Sequence, residues 1–403
     1  MCGRGSRVSL RVTAACLLLV LGSAAASLAG CSRAGSEPRP AATAWRVDVL
    51  KRTLPAVVLV RGRQLCVERL DSPTATPIWT APAETTPTIL AVDQPGGRIA
   101  VLLRESTGAT STLNHHGGPS IPAKWRDAGI VVLSANGSAR RHAVVTSRSH
   151  VGASWSGPGF HRSFEGTVTD LVNSGAFVGS DLVLATDRPS FGYSHAGPPL
   201  RLTPGGIKTT LTVDGADTLG YPAQFLQLPS GKAAVVRLQG MAGAVTSNVT
   251  ELRLTGSRVA SVSPAIPSIG AVGSADGSLS VSLPHVANGV HSTVIATLQS
   301  GGWSVGAPLR IDMLTWGKAH NPSYGPFSYD MGVPGAGPNG GLLVPIVMSP
   351  ALNVAGAKVR TMLARRSVSA TDDEVWSTPV YVDNESDSRS RTWAYLTRFG
   401  PAR

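Results

Sequence analysis

The segment RIDMLTWGKAHNPSYGPFSYD, residues 310–330, gathers His320, Tyr324, Tyr329 and Asp330 into a short stretch rich in glycine and proline. An imidazole, two phenols and a carboxylate on one long loop can hold a polar ligand, and long loops are often functional. The plainer reading is a connection between strands whose polar tips are solvated. We take these four residues as the candidate binding set and assign no catalytic residue. Other spacings exclude chemistry. Pro229-Ser230-Gly231-Lys232 lacks the first glycine of a phosphate loop, and Ala233 stands where Ser or Thr would hold magnesium. His115 and His116 are adjacent, so on a strand they face opposite sides and cannot share a metal. No HExxH, GxSxG or EF-hand spacing occurs. No metal site and no cofactor is expected.

The thiols carry a clearer signal. Arg4, Arg7 and Arg11 precede an apolar run over residues 12–30 that is centred on Leu17–Leu21 and ends at Leu28-Ala29-Gly30-Cys31. A basic start followed by an apolar core is a secretory leader and is set apart from fold reasoning. Its ending resembles the bacterial lipobox, in which the cysteine thiol receives a diacylglycerol before cleavage. The small residues would admit the backbone to a peptidase, and the thiol is the nucleophile to be alkylated. An uncleaved span is the alternative, but the alanine-rich end and abrupt polar switch oppose it. The resemblance therefore implies a lipoprotein signal peptide over 1–30, lipid attachment at Cys31, and a place on the outer face of the cell membrane. Cys2 and Cys16 lie in the leader, which leaves Cys66 alone: no internal disulfide can form, and QLCVERL alternates as a core strand does.

Residues 31–44, small, polar and proline-bearing after Cys31, read as a tether with a reach of about 20 Å by coil statistics. Residues 45–403 then form one domain, since no composition shift divides them. The net charge of +12 falls to +9 once the three leader arginines are removed. The basic residues do not alternate with aromatics, which argues against nucleic acid; outside a cell, anionic phospholipid and anionic wall polymers are nearer partners. Most of these cations are arginine, and composition bias accounts for that excess as well.

The elements that must carry these residues are strands. With 45 glycines and 29 prolines spread evenly, the chain suits neither a helical bundle nor a disordered coil. AVVLVRGRQLCVERL reads as two strands around Gly62, and GIVVLSANGSARRHAVV as a hairpin through Asn136-Gly137. Further hairpins turn at Thr255-Gly256 and at Ser300-Gly301-Gly302. No long 3.6-period segment follows the leader, so the fold class is all-β.

Four times a tryptophan is followed by Ser or Thr and then proline: IWTAP at Trp79, SWSGP at Trp155, GWSVGAP at Trp303 and VWSTP at Trp376. The spacings of 76, 148 and 73 fit a unit near half of the shorter ones. Propeller blades run to about 40–45 residues, which suggests a single β-propeller of roughly seven blades, between six and eight. SRSHVGASWSGP, with Gly152, Ser154 and Trp155, and PNGGLLVPIVMSP resemble blades of the sialidase and BNR-repeat family. His150 stands where that family's turn has Asp, and the Arg-Ile-Pro segment bearing its first arginine is absent. Glu374 and Glu385 lie near family-like positions without an identifiable tyrosine partner. The resemblance implies a propeller and gives slight support to hydrolase activity.

Two function classes follow. One is a non-catalytic surface propeller for a protein or cell-wall glycan partner, and it is favoured. The other is a divergent sialidase-like glycoside hydrolase, which would need paired carboxyl or Tyr–Glu groups. A propeller must also hide its edges, so the last strand, within 391–399, is expected to pair with the first, near Trp45–Leu50.

Overall fold

Short β-branched runs punctuated by glycine, asparagine and proline form strands rather than helices. The computed structural model has thirty strands and one short helix among its described residues. It describes residues 44–52, 56–69, 74–106, 125–144, 148–189, 194–206, 208–213, 223–228, 230–241, 244–261, 266–268, 272–275, 278–287, 290–299, 302–305, 327–331, 335–336, 342–350, 360–366, 379–383, 393–396 and 398–401. Cys31, His115, His116, His320, Tyr324, Trp376, Glu374 and Glu385 lie outside these.

The chain passes through helix α1 (Val47–Arg52) into β1 (Ala56–Arg61), β2 (Gln64–Arg69) and β3 (Ala75–Thr80), successive antiparallel neighbours. A second sheet runs β4 (Thr85–Asp93), β5 (Arg98–Ser106), β6 (Trp125–Ser134), β7 (Ala139–His142) in chain order. A separate long hairpin, β8 (Arg148–Gly157) and β9 (Phe160–Thr169), follows. In the next sheet β10 (Leu171–Val178) pairs with β11 (Asp181–Pro189); β11 takes β12 (Ser194–Ala196) at its end and β13 (Leu200–Leu202) at its start, with β14 (Lys208–Thr210) beyond β13.

A fourth sheet combines β15 (Thr212–Val213), β16 (Ala223–Gln227), β17 (Ala233–Met241), β18 (Ala244–Thr255), β19 (Arg258–Ser261) and β20 (Ile266–Ser268) in the order β15-β19-β18-β17-β16, with β20 on β18. The contact of β15 with β19 is parallel; the other pairings described are antiparallel. A fifth runs β21 (Val272–Ala275), β22 (Ser278–Ala287), β23 (Val290–Gln299), β24 (Gly302–Val305). The sixth holds β25 (Phe327–Met331), β26 (Gly335–Ala336), β27 (Leu342–Pro350), β28 (Arg360–Arg366) and β29 (Pro379–Asp383), in the order β25-β27-β28-β29 with β26 on β27. Finally β30 (Trp393–Leu396) returns to the first sheet beside β1.

The chain is therefore almost wholly β, in antiparallel sheets. Two expectations need correction. The partner of the last strand is Ala56–Leu59, not Trp45–Leu50, which instead runs into α1. Leu50 is fully buried under the first sheet's core, and that burial favours a helical turn there. Second, SRSHVGASWSGP contains no turn at 150–155: His150 to Gly157 run as one strand paired with Phe160–Thr167. The turn falls at Pro158-Gly159, where Gly159 takes φ 82°, open to glycine at no steric cost. The segment thus departs from the family pattern in shape as well as in sequence.

Three apolar clusters join neighbouring sheets. Val58, Leu65, Ile78 and Leu396 of the first sheet pack with Ile99, Val101 and Leu133 of the second. Leu102 and Ile130 meet Val172, Phe177, Leu184 and Leu200 of the third, whose Ala176 and Val183 pack on Phe225, Val235 and Leu252 of the fourth. Alternation along each strand sends successive residues to opposite faces, so one strand serves two clusters.

Candidate functional site

Chemistry-bearing side chains gather at both ends of the second and third sheets. At the end where β5 finishes and β6 begins, Arg104 and Asp127 are register partners. Asp127 Oδ1 accepts from Arg104 Nε at 3.3 Å, and its Oδ2 accepts the Val172 N–H at 2.6 Å. Arg104 in turn donates to the Val172 carbonyl at 2.5 Å. β10 is the first strand of its sheet, so its outward backbone groups need partners from elsewhere. A carboxylate and a guanidinium from the neighbouring sheet supply them. Gln227 and Ser174 repeat the device one sheet on: Gln227 Oε1 accepts Phe177 N–H at 2.6 Å, and Ser174 Oγ accepts Phe225 N–H at 2.9 Å.

Beside this clamp, Asn173 Nδ2 donates to Asp187 Oδ1 at 2.5 Å. Burial pushes the Asp187 carboxyl up to about 6, against the Asn173 hydrogen bond and the Arg104 charge, which pull it down. Burial raises Asp127 as well, opposed by the Val172 N–H and by Arg104. Asp170 is buried nearby, and an added Cβ on Gly197 would lie 2.3 Å from Thr186 Oγ1 and 3.2 Å from Asp170 Cγ, so only glycine fits.

Carboxyls held at different proton affinities are the raw material of acid–base catalysis. Here the donors that hold them belong to the protein, and neither cavity described below includes them. The cluster is a fastening between sheets. Because Asp187 binds its proton more tightly folded than unfolded, the stability it lends is full at low pH and is lost as pH rises from about 4 to about 6. Asp187→Asn, which keeps an acceptor for Asn173, should flatten the fall in Tm across that window and raise Tm at pH 7.5. An unchanged slope in melts at half-unit pH steps would refute this.

At the opposite end, a cavity of about 210 Å³ lies between the second and third sheets, with Phe177, Leu182 and Leu202 among its walls and Arg98 and Arg140 at its polar side. Arg98 donates to Asp93 at 2.5 and 2.9 Å and to the Gly179 and Ser180 carbonyls of the next sheet, with its guanidinium 4.2 Å over the Phe177 ring. Arg201 repeats this arrangement, paired with Asp181 and donating to the Gly256 carbonyl at 3.1 Å. A smaller space beside Ile130, Leu184 and Leu200 is apolar apart from Arg201.

Of the sequence-derived binding set, Tyr329 and Asp330 fall on β25, paired with Met348 and Val347. Ser230–Lys232 lie in the β16–β17 turn, with Gly231 at φ 84° and the Gly231 and Lys232 carbonyls accepting from Gln227 Nε2. That is a hairpin turn, with no helix to cradle phosphate. Cys66 is buried on β2, and burial raises its thiol, as suits a core residue. Among the described residues no cluster of metal-ligating side chains occurs, and no helix is long and apolar enough to cross a membrane. The Arg–Asp clamps escaped the sequence reading because their partners are backbone atoms of another sheet; Asp93 and Arg98, either side of a Gly-Gly turn, were the one local hint.

No protein-family model matches this chain, and no curated protein matches it in sequence. Among solved structures the chain is similar to a Bacteroides ovatus protein described as Xyloglucan PUL GH43B, at TM-score 0.31 and 10% identity. The match covers 79% of this chain and 57% of that one, so the chain spans little more than half of that protein's length.

Proposed function

We propose that this chain is a lipid-anchored β-propeller of the outer membrane face that binds a protein or cell-wall glycan partner and does not cleave it. Six sheets of four or more strands, together with a C-terminal strand that completes the first, support a six-bladed ring. The edge strands β4, β10 and β16 lie against one another, as strands around a shared axis would. The β8–β9 hairpin is then an insertion between blades. Cys31 carries the diacylglycerol in this reading, and the lipobox resemblance of residues 28–31 is its support.

The observation that carries a binding role is the use of charge. Asp93, Asp127 and Asp181, with Arg98, Arg104 and Arg201, hold one sheet to the next. Groups so engaged are unsuited to acid–base turnover. His320 and Tyr324 are proposed, with Tyr329 and Asp330 of β25, as the groups that meet the partner.

Purified protein should give no hydrolysis of a fluorogenic sialoside above a buffer blank. Turnover abolished by Tyr329→Phe or Asp330→Asn would make the glycoside hydrolase the better reading. Turnover that survived both changes would establish an enzyme whose site lies elsewhere.

A further inference from the structure

Several turns and α1 meet at one end of the molecule. Trp45 Nε1 and Lys51 Nζ donate to the Ser134 and Ala135 carbonyls, tying α1 to the β6–β7 turn. Ala135 N–H donates to Gly97, and Gly400 N–H to Gln94, which brings the β4–β5 turn and the chain end to the same place. Gly231, of the β16–β17 turn, abuts Pro95. Arg140 reaches the Pro204 carbonyl at 2.6 Å, adding the turn after β13.

Charge is distributed unevenly between the two ends. Lys51, Arg52, Arg140, Lys232 and Arg398 are exposed on this end. Its acids Asp93 and Asp181 are buried and paired with Arg98 and Arg201, which leaves Asp48 as the exposed one among the described residues there. Five exposed cations against one exposed acid give a net +4. Including the buried pairs leaves this end at +4, whereas the other end, counted in the same way, carries Glu84, Glu105, Asp127, Asp170 and Asp187 against Arg61, Arg63, Arg104 and Arg126, a net −1. The positive end is also where the chain enters at Trp45, fourteen residues after Cys31.

From these two observations we infer that the α1 end is a docking surface for anionic phospholipid headgroups, which turns the opposite end outward. The inference rests on the lipid-anchor reading for its choice of partner. A coil of fourteen residues reaches about 20 Å, so the anchor keeps this face within about two to three Debye lengths of the bilayer at physiological salt. Clustered Lys and Arg beside an anchor are attracted to an anionic leaflet. Wall polymers carry the same sign of charge but have no corresponding reason to meet this end first.

The test uses the acylated protein in vesicles, with a fluorophore on Ser138→Cys, in the β6–β7 turn, or on Arg63→Cys, in the β1–β2 turn at the far end; buried Cys66 stays unlabelled. With 30% phosphatidylglycerol in phosphatidylcholine, headgroup-borne nitroxide should quench the 138 label at least about 3-fold more than the 63 label. The difference should vanish in pure phosphatidylcholine, in 0.5 M salt, and in Lys51→Gln/Arg140→Gln/Lys232→Gln protein. Equal quenching of the two labels, or an order unchanged by salt and lipid charge, would overturn the inference.

Mass spectrometry of the N-terminal peptide tests the anchor separately. If no diacylglycerol were found on Cys31, the anchor reading would fail alone. The face would then be tested by flotation of the unacylated chain with the same vesicles, where each cation removed should weaken binding roughly 5-fold. Flotation with phosphatidylglycerol vesicles would support the face. Failure to float, or capture by a purified anionic wall polymer but not by the vesicles, would overturn it.

Discussion

Deleting residues 390–403 should abolish the cooperative unfolding transition. β30 supplies the strand beside β1, pairing Trp393 to Leu396 with Leu59 to Ala56. Leu396 is fully buried, and Phe399 sits edge-on to Trp45 with ring centroids 6.4 Å apart and planes at 82°. Gly400 N–H donates to the Gln94 carbonyl and Arg398 N–H to Gln94 Oε1, so the chain end also fastens the second sheet. Removing it uncovers the edge of β1 and the cluster of Val58, Leu65 and Leu133 behind it. Burying one Leu or Phe side chain contributes about 1.5–3 kcal/mol, and four strand pairings add to that. The loss approaches the whole of a typical stability of about 5–15 kcal/mol. Urea titration followed by tryptophan fluorescence should show a broad, low-amplitude change in place of a sigmoid. A truncated chain with an unaltered midpoint and slope would mean that β30 is dispensable and would count against ring closure.

Asp127→Ala should cost about 3 kcal/mol or more. The carboxylate is 2% exposed and is held by the Val172 N–H and by Arg104. Truncation leaves a buried backbone donor without its acceptor and a partly buried guanidinium without its counter-charge. Breaking a buried pair by removing one partner costs about 3–5 kcal/mol. Because Arg104 also holds the Val172 carbonyl, the first turn of contact between β6 and β10 loosens. Asp127→Asn retains an oxygen for Val172 and should lose clearly less. The two variants, compared by denaturant midpoint at pH 7, separate the hydrogen bond from the charge. Equal, small losses below about 1 kcal/mol would show that the clamp contributes little to holding the sheets together.

Local chemistry was legible where the determinants are neighbours in the chain. Asn136-Gly137 and Thr255-Gly256 turn where their composition demands, with Gly137 at φ 87° and Gly256 at φ 60°, because that region admits glycine without strain. Cys66 is buried as expected, although β2 is buried on both faces from Leu65 to Glu68, so alternation alone did not decide it. Trp45–Leu50 was misread because its apolar alternation suits a strand, while contacts from Ser134 and Ala135, some 85 residues on, favour α1. SRSHVGASWSGP was misread because a resemblance of residues does not convey register: the pairing of β8 with β9 carries the strand past Trp155 to Pro158-Gly159.

By itself, then, the sequence determined the strand class, the tight turns and the core place of Cys66, since each depends on side-chain type and on residues a few positions away. Only the tertiary structure decided that β30 pairs with Ala56–Leu59 rather than with Trp45–Leu50, that Asp127 and Arg104 serve Val172, and that Lys51, Arg140, Lys232 and Arg398 share one end. Those relations join segments between 45 and 347 residues apart, and no local pattern encodes them. They arise because the outward backbone groups and apolar faces of each sheet must find partners on the next, and the hydrogen-bonding need of a buried N–H is met by whichever distant side chain the packing brings to it.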